Sequence, residues 1–197
     1  MLNPFQRRDK PYLLIVGMIG VKMGDRLVQV GCAHGGRLGA VAAKVGLSGR
    51  ASAMVPDEAS AARARKGAAD AGVLVDVEIA PPTRLAADDE AFDLAVVDDT
   101  GDLFGTMQVE DRTAAIRELQ RILRPGGRVM IVGRAPPSGL AALLTRARSR
   151  VPFGSAEATK GLLADGFKSV RTLAERDGLI FVEGIKPRKV VSPVPVG

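Results

Sequence analysis

The run Leu27-Val28-Gln29-Val30-Gly31-Cys32-Ala33-His34-Gly35-Gly36 sets an apolar stretch directly before a glycine-rich turn. Glycines at such a junction let backbone amides come close to a ligand, and the start of a following helix favours negative charge there. Gly31, Cys32, Ala33, His34 and Gly35 are therefore candidate ligand-binding residues. A second candidate pair, Asp98 and Asp99, closes the apolar run 92–97. Carboxylates at the carboxyl end of a parallel strand fall in the crevice where open α/β sheets hold ligands, and there they orient an acceptor or take its proton. The plainer reading makes them caps of the next loop. His34, the only histidine, either touches an anionic group or an acceptor or faces solvent from the turn. Cys32, the only cysteine, reads as packing beneath the loop rather than as a nucleophile. One histidine and one cysteine supply no cluster of nitrogen and sulfur ligands, so no metal site is expected.

The elements that must position these residues follow from periodicity. Residues 26–30 form an apolar run ended by glycines, and Leu38, Val41, Ala42 and Val45 recur behind it at helical spacing, which predicts strand, turn and helix. Gly46 and Gly49 stop that helix, and residues 51–55 suit a second strand. Asp57 then opens a stretch rich in alanine and arginine that runs to about Ala71 and closes at Gly72, a helix without β-branched residues. Residues 73–79 and 92–97 read as the next strands. A helix follows with Val109, Ile116, Leu119 and Leu123 on one face, and Pro125-Gly126-Gly127 turns the chain into a strand at 128–132. Such alternation requires a parallel sheet covered by helices on both faces. Residues 167–173 and 179–185 both favour strands, and the five residues between them are too few for a parallel crossover, so they form an antiparallel hairpin.

This order of elements resembles the class I S-adenosylmethionine-dependent methyltransferases over residues 12–187. The most specific segment, Leu123-Arg124-Pro125-Gly126-Gly127-Arg128-Val129-Met130-Ile131, is similar to the family's LKPGGRLVI turn into strand five. Gly24-Asp25-Arg26-Leu27-Val28, Phe92-Asp93-Leu94-Ala95-Val96-Val97 and Leu163-Ala164-Asp165-Gly166-Phe167 match in the family's order. The resemblance implies a Rossmann-like three-layer α/β sandwich whose seven-stranded, mostly parallel sheet ends in an antiparallel hairpin. It also implies S-adenosylmethionine as cofactor and methyl transfer as the reaction. On this reading Gly31, Cys32, Ala33, His34 and Gly35 cradle the cofactor. The chain departs from the family at Gln29, where an acidic residue is usual, and at Ala33, which replaces the middle glycine. It departs again at Val55, where a carboxylate usually meets the ribose, which leaves Asp57 two residues on as the substitute. Ala80-Pro81-Pro82 stands where an acidic residue commonly lies near the adenine. These departures open a second reading, a non-catalytic methyltransferase-like binding or scaffold protein that has lost its cofactor affinity.

At 197 residues and 46% hydrophobic content the chain has enough apolar material for one full core. The expected division is an N-terminal helical segment at 1–22 packed on the core, a methyltransferase-like domain at 23–187 and an extended tail at 188–197. A lone cysteine fits a reducing compartment, hence a cytoplasmic location. The apolar segment 12–21 is far shorter than the ~20 residues of a transmembrane helix, so none is expected there; left exposed, it would join two copies in a homodimer. A net charge of +6 comes in local groups at Arg7, Arg8 and Lys10, at Arg146, Arg148 and Arg150, and at Lys186, Arg188 and Lys189. One tyrosine and no tryptophan give few stacking platforms, which disfavours nucleic acid as partner. With no added recognition domain visible, a small-molecule acceptor is favoured.

Overall fold

Strand β1 (Arg26–Val30) buries every residue after Arg26, which fits a central strand enclosed on both faces. It pairs in parallel with β2 (Arg50–Val55) on one side and β4 (Phe92–Asp98) on the other. Beyond β2 lies β3 (Asp76–Ile79), and beyond β4 lies β5 (Leu123–Arg134), both parallel. Antiparallel β7 (Leu179–Ile185) and β6 (Lys168–Arg176) complete seven strands in the order β3-β2-β1-β4-β5-β7-β6. This is the Rossmann-like sheet expected from the sequence. The computed structural model describes residues 12–135 and 153–188; the basic groups at 7–10 and 146–150 and the tail after Arg188 lie outside them.

Period-two alternation divides the core. Leu27, Leu94, Val96, Met130 and Phe181 face one layer, where α1 (Leu13–Ile19) contributes Ile15 and Ile19 and α2 (Gly35–Ala42) contributes Val41 and Ala42. Helix α3 (Glu58–Ala71) packs beside α2 on the same layer through Ala61 and Ala64. Val28, Val30, Ala95 and Val97 face the other, covered by α4 (Val109–Ile122) and α5 (Ser155–Ala164). The chain therefore changes sides between β1 and β4, and their carboxyl ends open the crevice used by doubly wound folds.

Three local outcomes differ from the sequence expectation. Helix α4 buries Ala115, Ile116, Leu119 and Ile122, while Val109 in its first turn is 67% exposed. Leu123 is the first residue of β5, paired with Phe92, rather than part of the helix face. The hairpin connection is Asp177-Gly178 alone, because β6 runs on to Arg176. Both turn residues have positive φ, 54° and 73°, the combination that a two-residue type I′ turn demands.

At the amino end of the sheet, Arg128 Nη2 donates to Ile19 O at 2.7 Å and Gly20 O at 2.9 Å, placing a cation on the C-terminus of α1 where the helix dipole favours it. Buried Glu183 accepts from Arg128 Nη1 at 3.1 Å and from Arg171 Nε at 3.1 Å. This pairing fixes α1 against the sheet. Among the described residues no helix is long and apolar enough to cross a membrane.

Candidate active site

The first turn after β1 is held by groups from three elements. Gly31 has φ of 80°, a conformation that L side chains rarely adopt, and an added Cβ would lie 2.8 Å from Leu103 Cδ2 and 3.1 Å from Asp98 O. Gly31 N donates to Met54 O at 2.9 Å, and the buried Gln29 amide donates from Nε2 to Gly31 O at 2.9 Å. Asp98 Oδ2 accepts from Ala33 N at 2.9 Å, while Oδ1 accepts from Thr100 Oγ1 at 2.6 Å and Thr100 N at 3.2 Å. Arg37 Nη1 donates to Thr100 Oγ1 at 2.6 Å and stands 4.0 Å from Asp98 Oδ1. Asp98 therefore ties the glycine turn to the end of β4.

Asp99 points the other way, as strand alternation requires. Its Oδ1 accepts from Phe104 N at 2.6 Å, and the residue is only 3% exposed. Burial pushes its carboxyl up to about 7; the Phe104 amide and Arg112 oppose that shift, while Asp102 and Asp98 add to it. Cys32 is buried too, and desolvation with Asp98 nearby pushes its thiol up to about 11, so it stays protonated and packs beneath the loop.

Asp57 is the N-cap of α3 and accepts from Ser60 N at 2.7 Å. The Ser60 hydrogen bonds hold its carboxyl below the usual range, which keeps it ionised. Arg63, one turn on, donates from Nε to Cys32 O at 2.9 Å and from Nη2 to Ser60 Oγ at 2.7 Å. These contacts bring the start of α3 onto the glycine turn.

An open cleft of about 400 Å³ lies between these groups. Gly31, Cys32, Ala33, Asp57 and Asp98 line it, so five of the sequence candidates share one wall system. His34, Gly35 and Asp99 are not among its lining residues. His34 is exposed at the N-cap of α2, with its ring 5.7 Å from that of Tyr12. Gly35 serves helix packing: an added Cβ would collide with Arg63 O and sit 3.1 Å from Gly67 Cα. Sequence reasoning missed Leu103, Thr106 and Met107, which come from the loop between β4 and α4 and close the opposite side. Their only signal was position, just beyond the carboxyl end of a strand at the crossover. A larger groove of about 460 Å³ occurs at the amino end of β2, but its two charged residues, Arg50 and Asp76, pair with each other at 2.9 Å. Five of the sequence candidates gather in the smaller cleft. No group of histidine, cysteine and carboxylate side chains that could hold a metal ion occurs among the described residues.

A parallel sheet in this order, with a ligand-sized cleft at its switch point and a terminal antiparallel hairpin, defines the class I S-adenosylmethionine-dependent methyltransferase architecture. Residues 27–127 match the family described as "Methyltransferase domain", and the chain belongs to that family. The ubiquinone/menaquinone biosynthesis C-methyltransferase UbiE of Pseudomonas putida is 26% identical over 162 residues, 81% of this chain and 60% of that protein. Its counterpart from Hahella chejuensis is 35% identical over 72 residues, 36% of this chain and 28% of that protein. The matches thus span no more than 60% of the length of these curated relatives. A SAM-dependent methyltransferase from Aquifex aeolicus has the same fold, with a TM-score of 0.70 and 18% identity over 94% of this chain and 100% of that one. Family and fold point to S-adenosylmethionine as the cofactor.

The cleft suits that group. Its volume lies within the ~300–1,000 Å³ of small-molecule sites. Ionised Asp57 is an acceptor for hydroxyls, Pro82, Leu103 and Met107 offer apolar walls, and exposed Gly101 presents backbone without a side chain.

Proposed function

We propose that this chain transfers a methyl group from S-adenosylmethionine to a small-molecule acceptor. The observation that carries the reading is the joining of Asp57 and the Gly31 to Ala33 turn on one cleft. When bound, the cofactor supplies an electrophilic methyl group on a positively charged sulfur. In this reading Asp57 accepts from the ribose hydroxyls, the usual task of a carboxylate at the position of Val55. Gly31, Cys32 and Ala33 form the floor, while Leu103 and Met107 flank the base. His34 and Gly35 act at one remove, through the start of α2. Asp98 holds the turn in shape. Asp99, which does not line the cleft and accepts from Phe104 N, supports the loop wall rather than taking a proton from the acceptor. The names of the Pseudomonas and Hahella relatives support a small acceptor methylated at carbon.

Titration calorimetry with S-adenosylmethionine and S-adenosylhomocysteine tests the reading. Dissociation constants below about 100 μM support an enzyme. A second reading, a methyltransferase-like scaffold without catalysis, draws on two specific contacts: the Ala33 amide is already given to Asp98, and Leu103 leans over Gly31. Absence of binding at millimolar ligand selects the scaffold.

A further inference from the structure

We propose that Arg112 is a positioning residue for the cofactor cleft, setting the distance between its loop wall and the glycine turn. The inference rests on the cofactor occupying that cleft. Arg112 lies in the first turn of α4 and is not among the residues lining the cleft. Its Nε donates to Phe104 O at 3.2 Å and its Nη2 to Met107 O at 3.1 Å. The guanidinium carbon stands 4.7 Å from the centroid of the Phe153 ring, which meets the Phe104 ring edge-on at 5.4 Å. Phe104 is fully buried, and its amide is held by Asp99. The main chain of Phe104 is thus gripped on both sides, by a carboxylate at the end of β4 and a cation at the start of α4.

The residues around that grip are the wall: Gly101, Asp102 and Leu103 before Phe104, Thr106 and Met107 after it. Leu103 Cδ2 lies only 2.8 Å from where a Cβ on Gly31 would be, so a small outward shift of the loop widens the cleft above the turn. Two carbonyls three residues apart and a flat aromatic face call for a planar fork of donors. Lysine offers a point charge that cannot meet all three.

A matched control lies on the same helix. Arg121 donates from Nη1 to Ala87 O at 2.7 Å and from Nη2 to Leu85 O at 3.1 Å, fastening a loop whose residues 85–89 do not line the cleft. The test measures S-adenosylhomocysteine binding by calorimetry, and melting temperature, for wild type, Arg112→Ala, Arg112→Lys and Arg121→Ala. Arg112→Ala is expected to weaken binding at least tenfold, with Arg112→Lys restoring part of it. Arg121→Ala is expected to lower the melting temperature while leaving the dissociation constant within twofold. If Arg112→Ala does not fold, Arg112→Lys carries the test, with several-fold weaker binding expected. Wild-type affinity in either folded Arg112 variant overturns the proposal, as does equal weakening by Arg121→Ala at matched loss of stability. A wild-type protein that binds nothing at millimolar ligand overturns the cofactor reading itself, and this inference with it.

Discussion

Asp98 Oδ2 accepts the Ala33 amide at 2.9 Å across 65 positions of sequence, so the residue that ends β4 also fixes the middle of the glycine turn after β1. With the carboxylate removed, the amides of Ala33 and Thr100 lose their acceptor and Arg37 loses a nearby opposite charge. Asp98→Ala is expected to cost about 3 kcal/mol, since unpaired buried donors cost ~1–3 kcal/mol and hydrogen bonds to charged groups ~1.5–3 kcal/mol. A chain of this size loses about 2–4 °C of melting temperature per kcal/mol. A thermal melt should therefore fall by roughly 6–12 °C. A fall under about 2 °C would show that the turn holds its shape without Asp98.

Asp99 gives a pH dependence of known sign. Its carboxyl lies near 7 in the folded chain against an ordinary value of 3.8, so between those values the native state keeps a proton that the unfolded state releases. The contribution of Asp99 to stability is full below about pH 4 and is lost as pH rises through about 7. Asp93, which Arg26 and Arg124 hold at about 2 despite the opposing cost of its burial, acts in the opposite sense at lower pH, so the comparison must be a difference. Asparagine at 99 keeps an acceptor for Phe104 N but carries no titration. Urea unfolding should show Asp99→Asn gaining on wild type by up to a few kcal/mol between pH 4.5 and 8. A constant difference across that range refutes the assignment.

Gly35 and Gly36 are neighbours in sequence with different obstacles. At Gly35 a new Cβ meets the Arg63 carbonyl and the Gly67 backbone, which belong to a packed helix; at Gly36 it meets the Tyr12 hydroxyl, the end of a side chain that can swing away. Gly35→Ala should therefore destabilise by about 2–3 kcal/mol or more through overpacking of α2 on α3. Gly36→Ala should change stability by less than about 1 kcal/mol. Equal denaturation midpoints for the two variants would contradict this account of the helix crossing.

These glycines show where the sequence was readable and where it was not. The strand and helix alternation was plain because β1, β2 and β4 are buried on both faces and read as mostly apolar runs. The hairpin turn carried its own signal, Asp177-Gly178, but the charged residues Glu175 and Arg176 hid the last part of β6 at the sheet edge. The spacing of Gly31 and Gly35 suggested two ligand contacts, yet only Gly31 lines the cleft, because a glycine needed for helix packing looks the same in sequence as one needed for a ligand. Asp98 and Asp99 looked interchangeable, although strand alternation sends one to the glycine turn and the other to Phe104. Leu103, Thr106 and Met107 lie in a loop without periodicity, so no pattern marked them before the fold placed them.

Gln29 offers a test of whether restoring a family residue restores family behaviour. The family's acidic residue at this position suggests that Gln29→Glu should tighten cofactor binding. The local geometry gives the opposite expectation. Gln29 is 2% exposed and its Nε2 donates to Gly31 O at 2.9 Å, a bond that an ionised carboxylate cannot make. A carboxylate there would face the Gly31 carbonyl, with the carboxylate of Asp98 lining the same small cavity and its one cation, Arg37, already donating to Thr100 and standing beside Asp98. Replacing an attraction by a repulsion in a dry site costs on the order of 2–4 kcal/mol, so Gln29→Glu should unfold earlier in urea. Its dissociation constant for S-adenosylhomocysteine should rise rather than fall. Tighter binding by Gln29→Glu at unchanged stability would mean that the turn adjusts to an acid, and that the buried amide is not what holds Gly31.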